Sequence, residues 1–182
     1  MHLSQNLTSF ALLSSLLLAT GSALAQQATD AHAPEAASGM AEKSVVHAKT
    51  HMVAAANPLA AKAGLEILRK GGSAADALIA VQTVLGLVEP QSSGIGGGAF
   101  LVWYDAASGK LSTFDGRETA PAAATPKLFL DDKGEPFAFF DAVVGGRSVG
   151  TPGIVRLMEA VHEKAGKLSW ADTLQPAIKL AQ

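Results

Sequence analysis

With 182 residues, 48% of them hydrophobic and only 16% charged, the chain can bury a substantial core and does not read as disordered. A net charge of −2 without a basic cluster argues against nucleic acid or an anionic membrane surface as partner. The lack of cysteine excludes a disulfide framework, a thiol nucleophile and a thiolate metal site, so any catalysis must use oxygen or nitrogen.

Residues 1–25 contain no Lys, Arg, Asp or Glu, run mainly apolar from Phe10 to Ala19, and end in Ala23-Leu24-Ala25. This pattern is expected of a secretory signal peptide cleaved before Gln26, giving a secreted or periplasmic protein with no membrane segment after cleavage. An uncleaved anchor is the alternative, because only the α-amino group and His2 supply positive charge; the apolar run is short for a span. Residues 26–48, rich in Ala, Gln and Ser without periodicity, read as a flexible leader. The folded segment is expected over residues 49–182.

Met52 to Ala56 is short and apolar and reads as a buried strand feeding a helix that Asn57 caps and Pro58 opens. Leu59, Ala60, Ala63, Ile67 and Leu68 would form its apolar face, and Gly71-Gly72 its stop. Ser73 and Asp76 have the spacing of a capping box, and Ala74 to Val88 is apolar nearly all round, which predicts a central helix ended by Pro90. After a loop with four glycines in five positions, Gly94 to Gly98, the runs Phe100 to Tyr104 and Leu111 to Phe114 predict a hairpin around Ser108-Gly109. Thr151-Pro152 reads as a second cap-then-proline start, for a helix reaching Ala165 and stopped by Gly166. Ser169 and Asp172 open a last capped helix running toward the chain end. The overall pattern is α+β.

Glycine gives access to positive φ and lets other groups approach the main chain, so the Gly94 to Gly98 loop is expected to be crowded. Its G-x-G-x-x-A spacing is not a dinucleotide fingerprint, because here a helix precedes the loop and a strand follows it. Arg117 falls just past the second hairpin strand, where a planar guanidinium can grip a carboxylate through two parallel hydrogen bonds. On composition alone an ion pair with Asp115, Glu118 or a distant carboxylate is the favoured account of it. His32, His47, His51 and His162 lack metal-ligand spacing, and Asp131-Asp132-Lys133-Gly134 reads as a surface turn rather than a calcium loop. No metal or cofactor is implied.

Five ordered blocks carry a resemblance: Met52 to Ala60, Gly71 to Ala77, Gly94 to Gly98, Asp115-Gly116-Arg117-Glu118-Thr119-Ala120-Pro121 and Gly150-Thr151-Pro152-Gly153. From about Met52 to Gln182 the chain resembles the N-terminal part of the large subunit of γ-glutamyltransferases, a group of N-terminal-nucleophile hydrolases. The resemblance implies an αββα sandwich, incomplete in this fragment, and transfer of the γ-glutamyl group of glutathione or related amides to amino acids, peptides or water. It implies that Arg117 holds the α-carboxylate of the donor. Glu118 reads as a support for Arg117 rather than a general acid or base, because no partner acid or histidine lies nearby in sequence, and Asp115 is a second candidate for that support. The family's nucleophile is a threonine exposed by self-cleavage in a Thr-Thr-His-type context, and none of the threonines here has that context. No catalytic residue is therefore assigned. The expected partners are γ-glutamyl small molecules and the C-terminal part and small subunit of the same precursor. The alternatives are a cephalosporin or glutaryl acylase of the same superfamily and a truncated, non-catalytic amino-acid-binding protein.

Overall fold

The computed structural model describes residues 44–182. The expected signal peptide and most of the expected leader lie outside the described residues. Residues 44–47 are exposed and carry no regular secondary structure, and Ala48–Gln182 forms one compact unit. Its elements are α1 (Pro58–Arg69), α2 (Ala74–Val88), β1 (Ala99–Asp105), β2 (Lys110–Gly116), a short α3 (Phe139–Val143), a 3₁₀ turn (Gly146–Ser148), α4 (Ile154–Ala165) and α5 (Trp170–Ala181).

Local chemistry sets most of these boundaries. Asn57 Oδ1 accepts the Leu59 N–H at 2.9 Å, and Pro58 occupies the first turn of α1, where no donor is needed. The helix ends in a full Schellman motif. Gly72 N–H reaches Ile67 O and Gly71 N–H reaches Leu68 O, both at 3.1 Å, with Gly71 at φ 89°. The capping box of α2 is complete, Ser73 Oγ accepting from the Asp76 N–H while Asp76 Oδ2 accepts from the Ser73 N–H.

As its all-round apolarity predicts, α2 is the central helix. On one side Ala77, Ala80 and Val84 pack with Ala60, Ala63 and Ile67 of α1; on another, Ile79 packs with Ile154 and Met158 of α4. Alanine and glycine let α1 and α2 come close: a Cβ on Gly64 would stand 2.7 Å from Val81 Cγ2. The large side chains Ile67, Ile79 and Met158 are fully buried, each stabilising the fold by about 1.5–3 kcal/mol. Leu59 departs from expectation. It is 46% exposed, because it lies at the rim of the α1 face.

The hairpin pairs β1 and β2 antiparallel in the register Phe100↔Asp115, Val102↔Thr113 and Tyr104↔Leu111, turning at Gly109 (φ 67°). Leu101 and Trp103 face the helices, and Phe100, Val102, Tyr104 and Leu111 form an exposed outer face. The expected strand at Met52 to Ala56 is not formed. The sheet among the described residues has two strands, and this segment is extended without a ladder partner, so its backbone donors find no neighbouring strand.

The cap expected at Thr151 is also absent. Gly153 is the N-cap of α4 and offers no side chain, while Thr151 exchanges backbone hydrogen bonds with Thr119 at 2.8 and 3.3 Å. The last helix starts as expected, with Ser169 Oγ accepting the Asp172 N–H. Asp131-Asp132-Lys133-Gly134 is a surface turn: Asp131 Oδ1 accepts two backbone N–H groups and Gly134 has φ 84°.

Candidate functional site

Three of the sequence blocks meet at the end of β2. Gly97 O accepts from the N–H groups of both Gly153 and Ile154, at 3.0 and 3.1 Å, tying the glycine loop to the start of α4. The Thr119–Thr151 bridge ties the segment after Arg117 to the same turn.

Where glycine is required here, space requires it and not dihedral angle. None of Gly94, Gly96, Gly97 or Gly98 has a positive φ, so the conformational half of the expectation fails. The crowding half holds at Gly98 and, 3.3 Å from Glu118 Oε1, at Gly97, but a Cβ on Gly94 or Gly96 would meet nothing within 4 Å. A Cβ on Gly98 would stand 2.6 Å from Gly116 O, 2.7 Å from Glu118 Oε2 and 2.9 Å from Arg117 Cα. A Cβ on Gly150 would stand 2.9 Å from Glu118 Cβ, and one on Gly116 2.6 Å from Leu157 Cβ. Main chain from two loops, residues 94–98 and 150–153, is therefore packed directly around residues 116–119.

Arg117 is the first residue past β2, and its side chain is 70% exposed. Asp115 does not pair with the guanidinium; its Oδ1 accepts the Arg117 backbone N–H at 3.0 Å and so shapes the turn. Glu118 Oε2 lies 3.4 Å from Arg117 Nε. This contact leaves Nη1 and Nη2 without a hydrogen bond to any described residue, so the forked end of the side chain can meet a ligand. Arg117 lines two concavities, one of about 500 Å³ with Thr151, Arg156 and Leu157, and one of about 350 Å³ with Phe129, Arg147 and Ser148. Arg156 is ion-paired with Glu159, and Arg147 stands 4.3 Å from the centre of the Phe137 ring. Sequence reasoning did not single out Arg147 or Arg156, because each is a lone cation whose nearness to Arg117 arises only on folding.

Glu118 is partly buried beside Arg117 and close to Gly97 and Gly98, and it lines the smaller of the two concavities. His47 and His51 are exposed and lie before α1, whereas His162 packs against Asp76 and Trp170. Among the described residues no group of three or more His, Cys, Asp or Glu side chains could hold a metal ion. No described helix is long and apolar enough to cross a membrane.

An α+β unit of these helices with a partial sheet matches part of the αββα sandwich of N-terminal-nucleophile hydrolases. The γ-glutamyltranspeptidase from Pseudomonas nitroreducens complexed with L-DON is similar at a TM-score of 0.69 and 40% identity, covering 75% of this chain and 40% of that one. The cephalosporin acylase from Bacillus halodurans is similar at a TM-score of 0.62 and 36% identity, covering 81% of this chain and 27% of that one. In sequence, the glutathione hydrolase proenzyme of Bacillus subtilis (strain 168) is 44% identical over 140 residues, which are 77% of this chain and 24% of that protein. The family model for gamma-glutamyltranspeptidase matches residues 60–182. The chain belongs to the gamma-glutamyltranspeptidase family. It spans about a quarter of the length of the Bacillus and Pseudomonas glutathione hydrolase proenzymes it matches.

Proposed function

We propose that this chain is the N-terminal part of the large subunit of a secreted or periplasmic γ-glutamyltransferase that also hydrolyses glutathione. The carrying observation is Arg117, whose forked end has no hydrogen bond to a described residue, is exposed and lines a cavity, on a backbone packed by two neighbouring loops. A fixed planar fork can hold the α-carboxylate of a γ-glutamyl donor by charge and geometry together, directing the γ-carbonyl toward a nucleophile. Asp115 sets the turn and Glu118 holds Nε, so both position Arg117 without touching the donor.

Once the complete precursor has cleaved itself and freed the α-amine of a threonine, that residue's hydroxyl attacks the γ-carbonyl and its own α-amine takes the proton. An ester forms as the amine of the donor leaves, and an amino acid, a peptide or water then breaks that ester. Residues 1–182 supply the carboxylate grip and no nucleophile, so this stretch by itself has no transferase activity. The remainder of the precursor supplies the opposite wall.

Arg117→Lys in the complete precursor tests the reading. Lysine keeps the charge and loses the fork, so KM for a γ-glutamyl anilide is expected to rise by about tenfold or more with kcat less affected. Wild-type kinetics in that variant would remove the assignment. The likeness to a cephalosporin acylase supports a second reading, an acylase acting on a glutaryl-type side chain. That acyl group keeps the terminal carboxylate that Arg117 would grip and lacks only the α-amino group, so faster turnover of a glutaryl-lactam than of the γ-glutamyl anilide would favour it.

A further inference from the structure

A cavity of about 520 Å³ lies between the start of α2, the helix-facing side of the hairpin and the end of α4, and shares no lining residue with the concavities beside Arg117. Lys110, Lys164 and Lys167 line it, against Asp105 as the one carboxylate. None of these three ammonium groups has a carboxylate within ion-pair distance among the described residues. Asp105 is already engaged, since Oδ1 accepts the Ala107 N–H at 3.1 Å and Oδ2 accepts the Ser108 hydroxyl. Three cations against one committed anion leave the lining with a surplus of two positive charges, in a chain whose net charge is −2. Like charges gathered in one concavity repel unless a counter-charge stands among them.

One of the three donors is held in place. Lys164 Nζ donates to Ser112 Oγ at 2.9 Å and stands 5.2 Å from the centre of the Phe114 ring, which fixes a side chain that would otherwise sweep through solvent. Ser112 Oγ thus acts as acceptor toward Lys164, and its own hydroxyl proton remains to be donated. Trp103 forms a wall of the cavity.

We propose that this cavity is a binding site for a small, doubly charged oxyanion of the phosphate type. Lys110, Lys164 and Lys167 are its cationic donors and the Ser112 hydroxyl its neutral one. Compact ammonium groups suit the several oxygens of a phosphate, to which each contributes a charge-assisted hydrogen bond. The site is independent of the glutamyl reading, because no residue of it adjoins Arg117.

The test is a titration of the 182-residue chain with inorganic phosphate, followed through backbone amide shifts at constant ionic strength with chloride as the compensating anion. Saturable shifts at Ser112, Lys164 and Lys167 are expected, with Kd of about 1 mM. Lys164→Gln is expected to weaken binding by about fivefold, and Lys62→Gln, on α1, to leave it unchanged. Lys110→Gln makes the same test from the hairpin if the α4 substitution disturbs the helix. Vesicles carrying phosphatidic acid separate a free from a membrane-borne phosphate: binding to them with none to inorganic phosphate overturns the free-anion assignment. Shifts that do not saturate, that chloride reproduces, or that survive both lysine substitutions overturn the site.

Discussion

The reason for glycine at position 98 can be tested against its neighbour at 96. Neither has a positive φ, so alanine is free of dihedral strain at both. At Gly96 an added Cβ meets nothing within 4 Å, and Gly96→Ala is expected to stabilise the chain by about 0.4–1 kcal/mol through the unfolded state alone. At Gly98 the same methyl group lands 2.6 Å from Gly116 O, roughly 0.7 Å inside an ordinary carbon–oxygen contact of about 3.3 Å. It also stands 2.9 Å from Arg117 Cα, and both neighbours are main chain that cannot swing aside. The overpacking cost is about 1–3 kcal/mol, and because the gain in the unfolded state is common to both variants, their difference isolates it. For a unit of this size that difference corresponds to about 4–12 °C in Tm. Thermal unfolding of the two variants side by side, followed by far-UV circular dichroism, is the assay. If Gly98→Ala melts together with Gly96→Ala, the loop is not packed against the Arg117 backbone and the geometric account of the site fails.

Three further outcomes are expected. Asp76→Asn should destabilise the chain by about 2–4 kcal/mol in urea unfolding, because Oδ2 accepts from the Ser73 N–H and hydroxyl and from the N–H groups of Lys167 and Leu168 in a fully buried setting. Ser73→Ala, which removes the cap alone, should cost about 1 kcal/mol, and equal losses would show that the reach to residues 167–168 contributes nothing. Glu89 should titrate below its ordinary value of 4.5, because the Asn57 side-chain amide, and after it that of Gln91, donates to its carboxylate. A lowered folded-state pKa means the tie is present above about pH 4.5 and is lost as pH falls through the folded value. Carbon-detected titration of Asn57→Ala should return Glu89 toward 4.5, and an unmoved midpoint would refute the hydrogen bond. Finally, Arg117→Lys should separate KM from kcat as described above, and a purely structural role for Arg117 would instead lower stability without that split.

Much of the architecture was legible because its signals are local. Asn57-Pro58, Gly71-Gly72 and Ser73 with Asp76 each satisfy backbone groups within a few residues, so their chemistry can be read without knowing the fold. The failures share the opposite property. Thr151 has the composition of a cap, but Thr119 takes up its backbone groups, and nothing near position 151 announces a partner over thirty positions earlier. Met52 to Ala56 has the apolarity of a strand, yet a strand exists only with a neighbour to pair with. For the candidate site, Arg117 was legible from its motif and its place past a strand. The cations Arg147 and Arg156 and the lysine-lined cavity became visible only once separate elements were brought together.

The reach of Asp76 also bears on how this polypeptide acquires its shape. The carboxylate that closes the start of α2 accepts from backbone groups 91 and 92 positions downstream, while its Oδ1 is buried with only His162 Nε2 nearby, at 3.4 Å. During synthesis, α2 can therefore be initiated long before its first turn is sealed. Until residue 168 has left the ribosome, that carboxylate must keep water as its companion, so the middle of the unit matures only when its last two helices arrive.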